Sequence, residues 1–399
     1  MQDISASVGM SGSSIYRHLP GKQALLQEAL ESALTKVTTA VTTQGTFDEV
    51  CVAVADAMVS RPDFWILLRR EARHLDQPSR HEILGRAAAT IEEAVHKLSA
   101  DRDDLTSEQA ELRARAALAC LAAPSQYPRH TGPADEARQV AQLAALVAQS
   151  GTEIESLTIP AQEFATYAPA IEGTRRDQIL AAARDLMSRH GYQSVSLNQI
   201  GAAAGIAGPS LYHHFTGKPD ILASILQVAV DRMELYRRAA LRGGGTDDML
   251  AALARSYVTF AAANTEVFRI FVNDAIYLPD GEFSCIDTAH RRHVATWTVL
   301  AEILDSDDDP IDPQQRVSCA LSIVNEFATT RPPRELAENA ATVLGAVLLV
   351  LGLPVSSHAL VTEGSRRELP SWPNSLPAAN RFGPDPRPRA SCERDALRT

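Results

Sequence analysis

The sequence predicts an all-α protein of two tandem units, each a helix-turn-helix head followed by a helical-bundle body. Two observations carry that expectation. Alanine-rich apolar blocks with few β-branched runs recur along 399 residues, of which 45% are hydrophobic and 5% aromatic, an ordinary composition for a globular chain. In addition, Gly9-Met10-Ser11-Gly12-Ser13-Ser14-Ile15-Tyr16-Arg17-His18-Leu19-Pro20-Gly21-Lys22 aligns without a gap on Gly205-Ile206-Ala207-Gly208-Pro209-Ser210-Leu211-Tyr212-His213-His214-Phe215-Thr216-Gly217-Lys218. The shared Gly, Ser, Tyr, His and Lys positions are small or polar. A core repeat would instead preserve apolar periodicity.

The first head is expected at residues 1–24. Met1 stands where Leu197 stands in the second copy, so the short helix Gln2 to Val8 has nothing before it. Ile4, Val8, Ile15 and Leu19 then lack the helix that would cover them, and the expected explanation is a reading frame that begins upstream of Met1. The first body is expected over 25–150. Within it Arg61-Pro62-Asp63-Phe64-Trp65-Ile66-Leu67-Leu68 parallels Asn264-Thr265-Glu266-Val267-Phe268-Arg269-Ile270-Phe271, and Arg113 with Ala117-Leu118 parallels Arg316 with Ala320-Leu321. The register of these pairs has slipped relative to the heads, which places a small insertion near Gly243-Gly244-Gly245. Residues 151–173 mix Ser, Thr, Pro and Glu without periodicity and are expected to be a linker.

The second head, 174–220, has a complete local grammar. Arg175 to Met187 forms an amphipathic helix through Ile179, Leu180, Ala183 and Leu186-Met187, closed by His190-Gly191. Ser196 is a fitting N-cap for Leu197-Asn198-Gln199-Ile200, and Gly205 suits a C-terminal stop. Pro209 fits the first turn of the next helix, whose Leu211 and Phe215 make a buried stripe. A second body follows over 221–353, including the apolar run Ala340 to Val355, which is too short and too interrupted to span a bilayer. The Pro-, Ser- and Arg-rich stretch 354–399 is expected to be a disordered tail.

In a helix-turn-helix the second helix presents side chains to the major groove of DNA. The expected contacts are Ser11, Ser13, Ser14, Tyr16, Arg17, His18 and Lys22 in the first copy, and Ser196, Pro209, Ser210, Tyr212, His213, His214 and Lys218 in the second. Arg17 could pair bidentately with guanine; Lys22 and Lys218 open the following helix, where a phosphate is readily held. The chain carries a formal net charge of −11, yet Thr174 to Lys218 holds Arg175, Arg176, Arg184, Arg189 and Lys218 against only Asp177 and Asp185. A basic patch on an acidic body is all that phosphate contact requires.

Catalytic signatures are missing: there is no P-loop, G-x-S-x-G, H-E-x-x-H or dinucleotide fingerprint, so no enzyme and no cofactor is expected. His290-Arg291-Arg292-His293 reads as a solvated polar face of a helix. Five scattered cysteines form no metal-ligand spacing, so no metal is expected, and they fit thiols in a reducing cytoplasm.

These segments resemble the TetR family of bacterial regulators. Gly191-Tyr192, Ile200, Gly205-Ile206, Leu211-Tyr212-His213-His214-Phe215 and Gly217-Lys218 fit its pattern. Asp3-Ile4, Val8-Gly9-Met10-Ser11 and Ile15 to Lys22 fit it again. The resemblance implies a double-stranded DNA operator as partner, a small-molecule effector held in the body, and dimerisation through the last two body helices. With two units on one chain, it implies an internal pseudo-dimer with room for a further homodimer, acting as a repressor. Ala207 departs from the usual Ser/Thr at the start of the reading helix. A hydrophobic effector is expected against Trp65, Tyr257, Phe268, Phe271 and Trp297, with no membrane partner. The competing expectation is a helical interaction and dimerisation module that has lost specific DNA binding.

Overall fold

The computed structural model describes residues 21–355 apart from 128–130, 156, 161–162, 165–172, 207, 243 and 307–308. The expected first-head contacts Ser11, Ser13, Ser14, Tyr16, Arg17 and His18 lie outside the described residues, as does most of the expected tail. Among the described residues every regular element is helical. The chain divides into two compact units, one of 1–150 with 310–322 and one of 151–309 with 323–399.

The first unit contains α1 (Lys22–Thr42), α2 (Phe47–Ser60), α3 (Gln77–Asp101), α4 (Ser107–Leu121) and α5 (Pro133–Ala148). Their starts are written locally. Thr46 accepts from the Glu49 amide while the Glu49 carboxylate takes the Thr46 N–H, a reciprocal capping box. Thr106 and Gln109 repeat it for α4, and Asp76 caps α3 with Pro in its first turn. The core joins Leu30, Leu34 and Val41 of α1 to Phe47, Val50 and Val54 of α2 and to Val140, Leu143 and Val147 of α5. Trp65 sits on the short helical run Phe64–Ile66, which continues through a π turn at Leu67–Glu71. The Arg69 guanidinium lies 4.6 Å from its ring centre.

The second unit begins with a 3-10 turn at Thr152–Glu155. It continues through α6 (Arg175–His190), α7 (Leu197–Ala203), a 3-10 segment at Gly208–His213, α8 (Lys218–Ala240), α9 (Thr246–Ala263), α10 (Thr265–Asp274) and α11 (Asp280–Leu304). Two further helices follow, α12 (Pro313–Thr330), which runs on from the first unit's 310–322 stretch, and α13 (Pro333–Val350). Part of the stretch read as a linker is seated on its own unit: Ile154 and Leu157 are buried, and the Arg255 guanidinium clasps the Glu163 carboxylate at 2.7 Å. Apolar residues at uneven spacing along 151–173 leave no periodicity for a sequence pattern to register. Gly345 on α13 makes the docking possible, since a Cβ there would stand 2.3 Å from the Ile154 carbonyl oxygen.

No helix among the described residues is long and apolar enough to cross a membrane, and no group of three or more metal-ligating side chains occurs among them.

Candidate DNA-binding head and ligand cleft

The head of the second unit is assembled from short, well-stopped helices. Thr174 and Asp177 form a capping box for α6, and Ser196 and Gln199 one for α7. Gly191 and Gly205 take φ of 78 and 68, the left-handed region that glycine enters without cost. Beyond Gly205 the Ile206 amide returns to the Gly201 carbonyl at 2.9 Å and the Gly205 amide to Ala202, so α7 ends in a Schellman turn. The next segment differs from the α-helix expected there. Gly208–His213 is a short 3-10 helix, closed where the His214 and Phe215 amides both donate to the Leu211 carbonyl at 2.9 Å. Leu211 and Phe215 still point inward at 1% and 3% exposure, onto Ile179, Ala183, Met187 and Ile200.

That packing sorts the expected contact residues. Tyr212, His213 and His214 are exposed, Tyr212 by 62%, which is unusual for a large aromatic ring with nothing to cover it. Ser196 has both its hydroxyl and its amide on the Gln199 side chain, so it caps α7. Ser210 is half-buried, and Lys22 is exposed at the first position of α1 in the first unit. The side chain of Pro209 lies outside the described residues.

Lys218, expected at a phosphate, gives its ammonium to the carbonyls of Tyr192, Gln193 and Val195 at 2.8, 3.3 and 2.9 Å and stands 4.3 Å over the Tyr192 ring. Burial draws it below the usual lysine range, while Asp274 nearby opposes the shift. Arg176 is likewise engaged, with the His214 carbonyl at 2.7 Å, the Ser224 hydroxyl at 2.8 Å, and its guanidinium 4.0 Å over Phe215. Lys218 and Arg176 thus brace the head's own carbonyls, while Arg176, like Arg175 and Arg189, remains exposed.

The same unit holds a half-open cleft that encloses about 620 Å³ when its open mouth is counted. Leu226, Ala229, Val230, Met233 and Glu234 of α8 line it, with Tyr257 and Phe260 of α9, Val267, Phe268 and Phe271 of α10, and Ala289, His290 and His293 of α11. Of the residues expected to hold an effector, Tyr257, Phe268 and Phe271 meet here. Trp297 stands behind the wall, fully buried, its ring edge-on to Tyr257 at 5.8 Å. Trp65 belongs to the first unit and takes no part.

His290-Arg291-Arg292-His293 is corrected here. Arg291 and Arg292 are exposed as expected, but His293 is buried, His290 is half-buried, and both line the cleft. Residues three apart share a helix face while the two between them turn away. Burial pushes His290 to about 4 and His293 to about 3, so both are neutral at pH 7. Glu234 is held near 2, chiefly by hydrogen bonds from Arg237 and also from Arg238. Met233, Glu234, His290 and His293 went unrecognised in sequence. Leu226, Ala229, Val230 and Met233 do carry a helical stripe, yet so does any core-facing helix.

One element belongs to both sites. On α10, Val267, Phe268 and Phe271 face the cleft, while Glu266 pairs with Arg184 of α6 at 2.7 Å. At its end Asp274 accepts the Tyr192 amide at 3.2 Å, and just beyond it Tyr277 stacks on Tyr192 at 5.5 Å.

A three-helix head with an exposed aromatic on its reading segment, set on a helical body with an apolar cleft, defines the class of helix-turn-helix transcriptional regulators. Residues 179–225 match the model of "Bacterial regulatory proteins, tetR family". Over those residues the chain is similar to the members of that family.

The HTH-type transcriptional activator FasR of Mycolicibacterium smegmatis is 29% identical over 171 residues, 36% of this chain and 78% of FasR. The repressor KstR2 of Rhodococcus jostii is 33% identical over 130 residues, 32% of this chain and 64% of that one. The repressor ComR of Escherichia coli is 27% identical over 135 residues, 32% and 63% of the two chains. This chain thus spans just under two thirds of KstR2 and ComR. Among solved structures, AibR in complex with isovaleryl coenzyme A and operator DNA aligns at a TM-score of 0.38 with 19% identity, over 42% of this chain and 96% of that one. PfmR of Thermus thermophilus aligns at 0.39 with 22% identity, over 44% and 96%.

Proposed function

We propose that this regulator binds an operator through the head at 174–220 and is released from it, as a repressor, by a small hydrophobic effector seated in the cleft of the 221–353 body. The carrying observation is α10, whose apolar face lines the cleft and whose ends hold the head through Glu266–Arg184 and Asp274–Tyr192. A ligand that displaces Phe268 or Phe271 acts on the same rigid element that positions α6 and the Tyr192 turn. Release then needs only that the ligand favour one of two positions of α10. Ser210, Tyr212, His213 and His214, with Ser196 and Pro209, are the proposed contact surface. Lys218 is assigned to holding the turn that presents them.

The duplicated sequence supports a second copy of this arrangement in the first unit. Ser11, Ser13, Ser14, Tyr16, Arg17, His18 and Lys22 are its proposed DNA contacts, and its residues 25–150 the counterpart body. The pairing proposed is an internal pseudo-dimer. Since Arg17 answers to His213 and Ser13 to Pro209 in the two copies, the bound site is expected to be an imperfect palindrome.

Footprinting on the region upstream of the gene, with light scattering of the complex, tests this. One chain on an asymmetric site supports it; two chains on a strict palindrome overturn the pseudo-dimer. Absence of any salt-dependent binding overturns DNA recognition in favour of an interaction module.

A further inference from the structure

The cleft wall contains a buried polar atom with no hydrogen-bond partner. His293 is 7% exposed, and its Nε2 accepts the indole N–H of Trp297 at 3.1 Å. An indole nitrogen only donates, so Nε2 bears no proton, and a neutral imidazole must then carry its hydrogen on Nδ1. That atom is closed to water and bonded to nothing. The tautomer is fixed from behind, since Trp297 is fully buried against Tyr257. Tyr257 packs on the imidazole at 5.2 Å but sends its hydroxyl to Asn325 at 3.1 Å. A buried donor left unmet is costly, and native structures rarely keep one without a reason.

Around it the chemistry is selective. His290, one turn earlier on α11, lines the same wall and packs on Phe271 at 5.1 Å. Both imidazoles are uncharged at pH 7 because burial disfavours their cationic forms. Among the described residues the one ionised group in the lining is Glu234, which is paired with Arg237 and Arg238; neither lysine nor arginine is among the described lining residues. A carboxylate entering it would find no cation in the described lining and would keep the cost of leaving water. An uncharged carbonyl that displaces the side chains now covering Nδ1 would meet a donor that lacks a partner.

We propose that the cleft selects an apolar molecule carrying an uncharged carbonyl acceptor, of ester, thioester, amide or ketone type, through the Nδ1–H of His293 with His290 beside it. This rests on the cleft being the effector site, and it adds the one polar feature by which that site tells apolar molecules apart. Leu226, Met233, Phe260 and Phe268 receive the hydrocarbon; His293 sets where the carbonyl stands along it.

The test is titration of the full chain with methyl octanoate, octane and octanoate at pH 7. The ester is expected to bind about ten-fold more tightly than either of the others, the range of one well-placed hydrogen bond. His293→Phe keeps an aromatic ring but removes the donor, and should bring the ester-to-octane ratio to about one while octane binding persists. Nitrogen-15 histidine NMR of the unaltered chain gives a reading that needs no variant. The His293 Nδ1 should be protonated, and its resonance should move with the ester but not with octane. Equal binding of ester and octane, or preferred binding of octanoate, overturns the carbonyl inference and leaves the cleft as an apolar effector site. Binding of none of the three overturns both.

Discussion

Tyr212 projects from the head with 62% of its surface free and no role in the core. Tyr212→Ala should therefore lower operator affinity about ten-fold or more while leaving the thermal midpoint unchanged; anisotropy and a thermal melt on the same preparation separate the two effects. Lys218 should behave in the opposite way. Removing an ammonium that serves three carbonyls is expected to cost about 1–2 kcal/mol of stability, with DNA affinity changing through the loosened turn. The cleft histidines make the body acid-sensitive. In the unfolded chain they protonate near 6.5, in the folded one only near 4 and 3. As pH falls below 6.5 the unfolded state gains protons that the folded state refuses. For His293 this amounts to about 2 kcal/mol lost at pH 5, levelling off below the folded value. Glu234 adds its own loss as pH falls from 4.5 toward 2. Chemical denaturation from pH 8 to 4.5 should show the slope, and His293→Phe should flatten it by about one proton; an unchanged slope would refute the assignment.

At the scale of elements, α10 joins the cleft to the head. Glu266→Ala should leave effector affinity nearly intact but weaken its effect on DNA binding, since the ion pair to Arg184 is partly exposed and adds little to stability itself. Parallel ligand titrations with and without DNA give that coupling directly. The seat of the Thr152–Glu155 turn on α13 is a matter of close approach, and Gly345→Val should destabilise by roughly 1–3 kcal/mol, measured by denaturant midpoint. The elements themselves were largely legible. Thr174, Ser196, Gly191 and Gly205 stop and start helices by chemistry confined to four or five neighbours, and the structure keeps those boundaries. The site was less so. Which of Lys218, Arg176 and Tyr212 is tied down and which is left free of the core depends on carbonyls and rings brought together from α6, the Tyr192 turn and α8. His290 and His293 looked solvated because the arginines between them are; only the packing of α8, α9 and α10 on α11 shows which side of the helix is inward.

For the molecule as a whole, the likeness to the tetR family is carried by residues 179–225, and regulation is proposed because that head shares α10 with a cleft. An acidic chain with a local basic head should bind DNA through a small number of phosphates, so its affinity should be salt-dependent without being extreme. The differences between the two copies of the head repeat make the bound site asymmetric if both heads engage it. The most direct measurement is fluorescence anisotropy of the intact chain on DNA from upstream of its own gene, titrated across salt for the parent and for Tyr212→Ala. Specific binding that weakens linearly in log salt, and that Tyr212→Ala reduces at least ten-fold, is the expected result. Binding equal to that on unrelated DNA, or indifferent to Tyr212, would contradict the account.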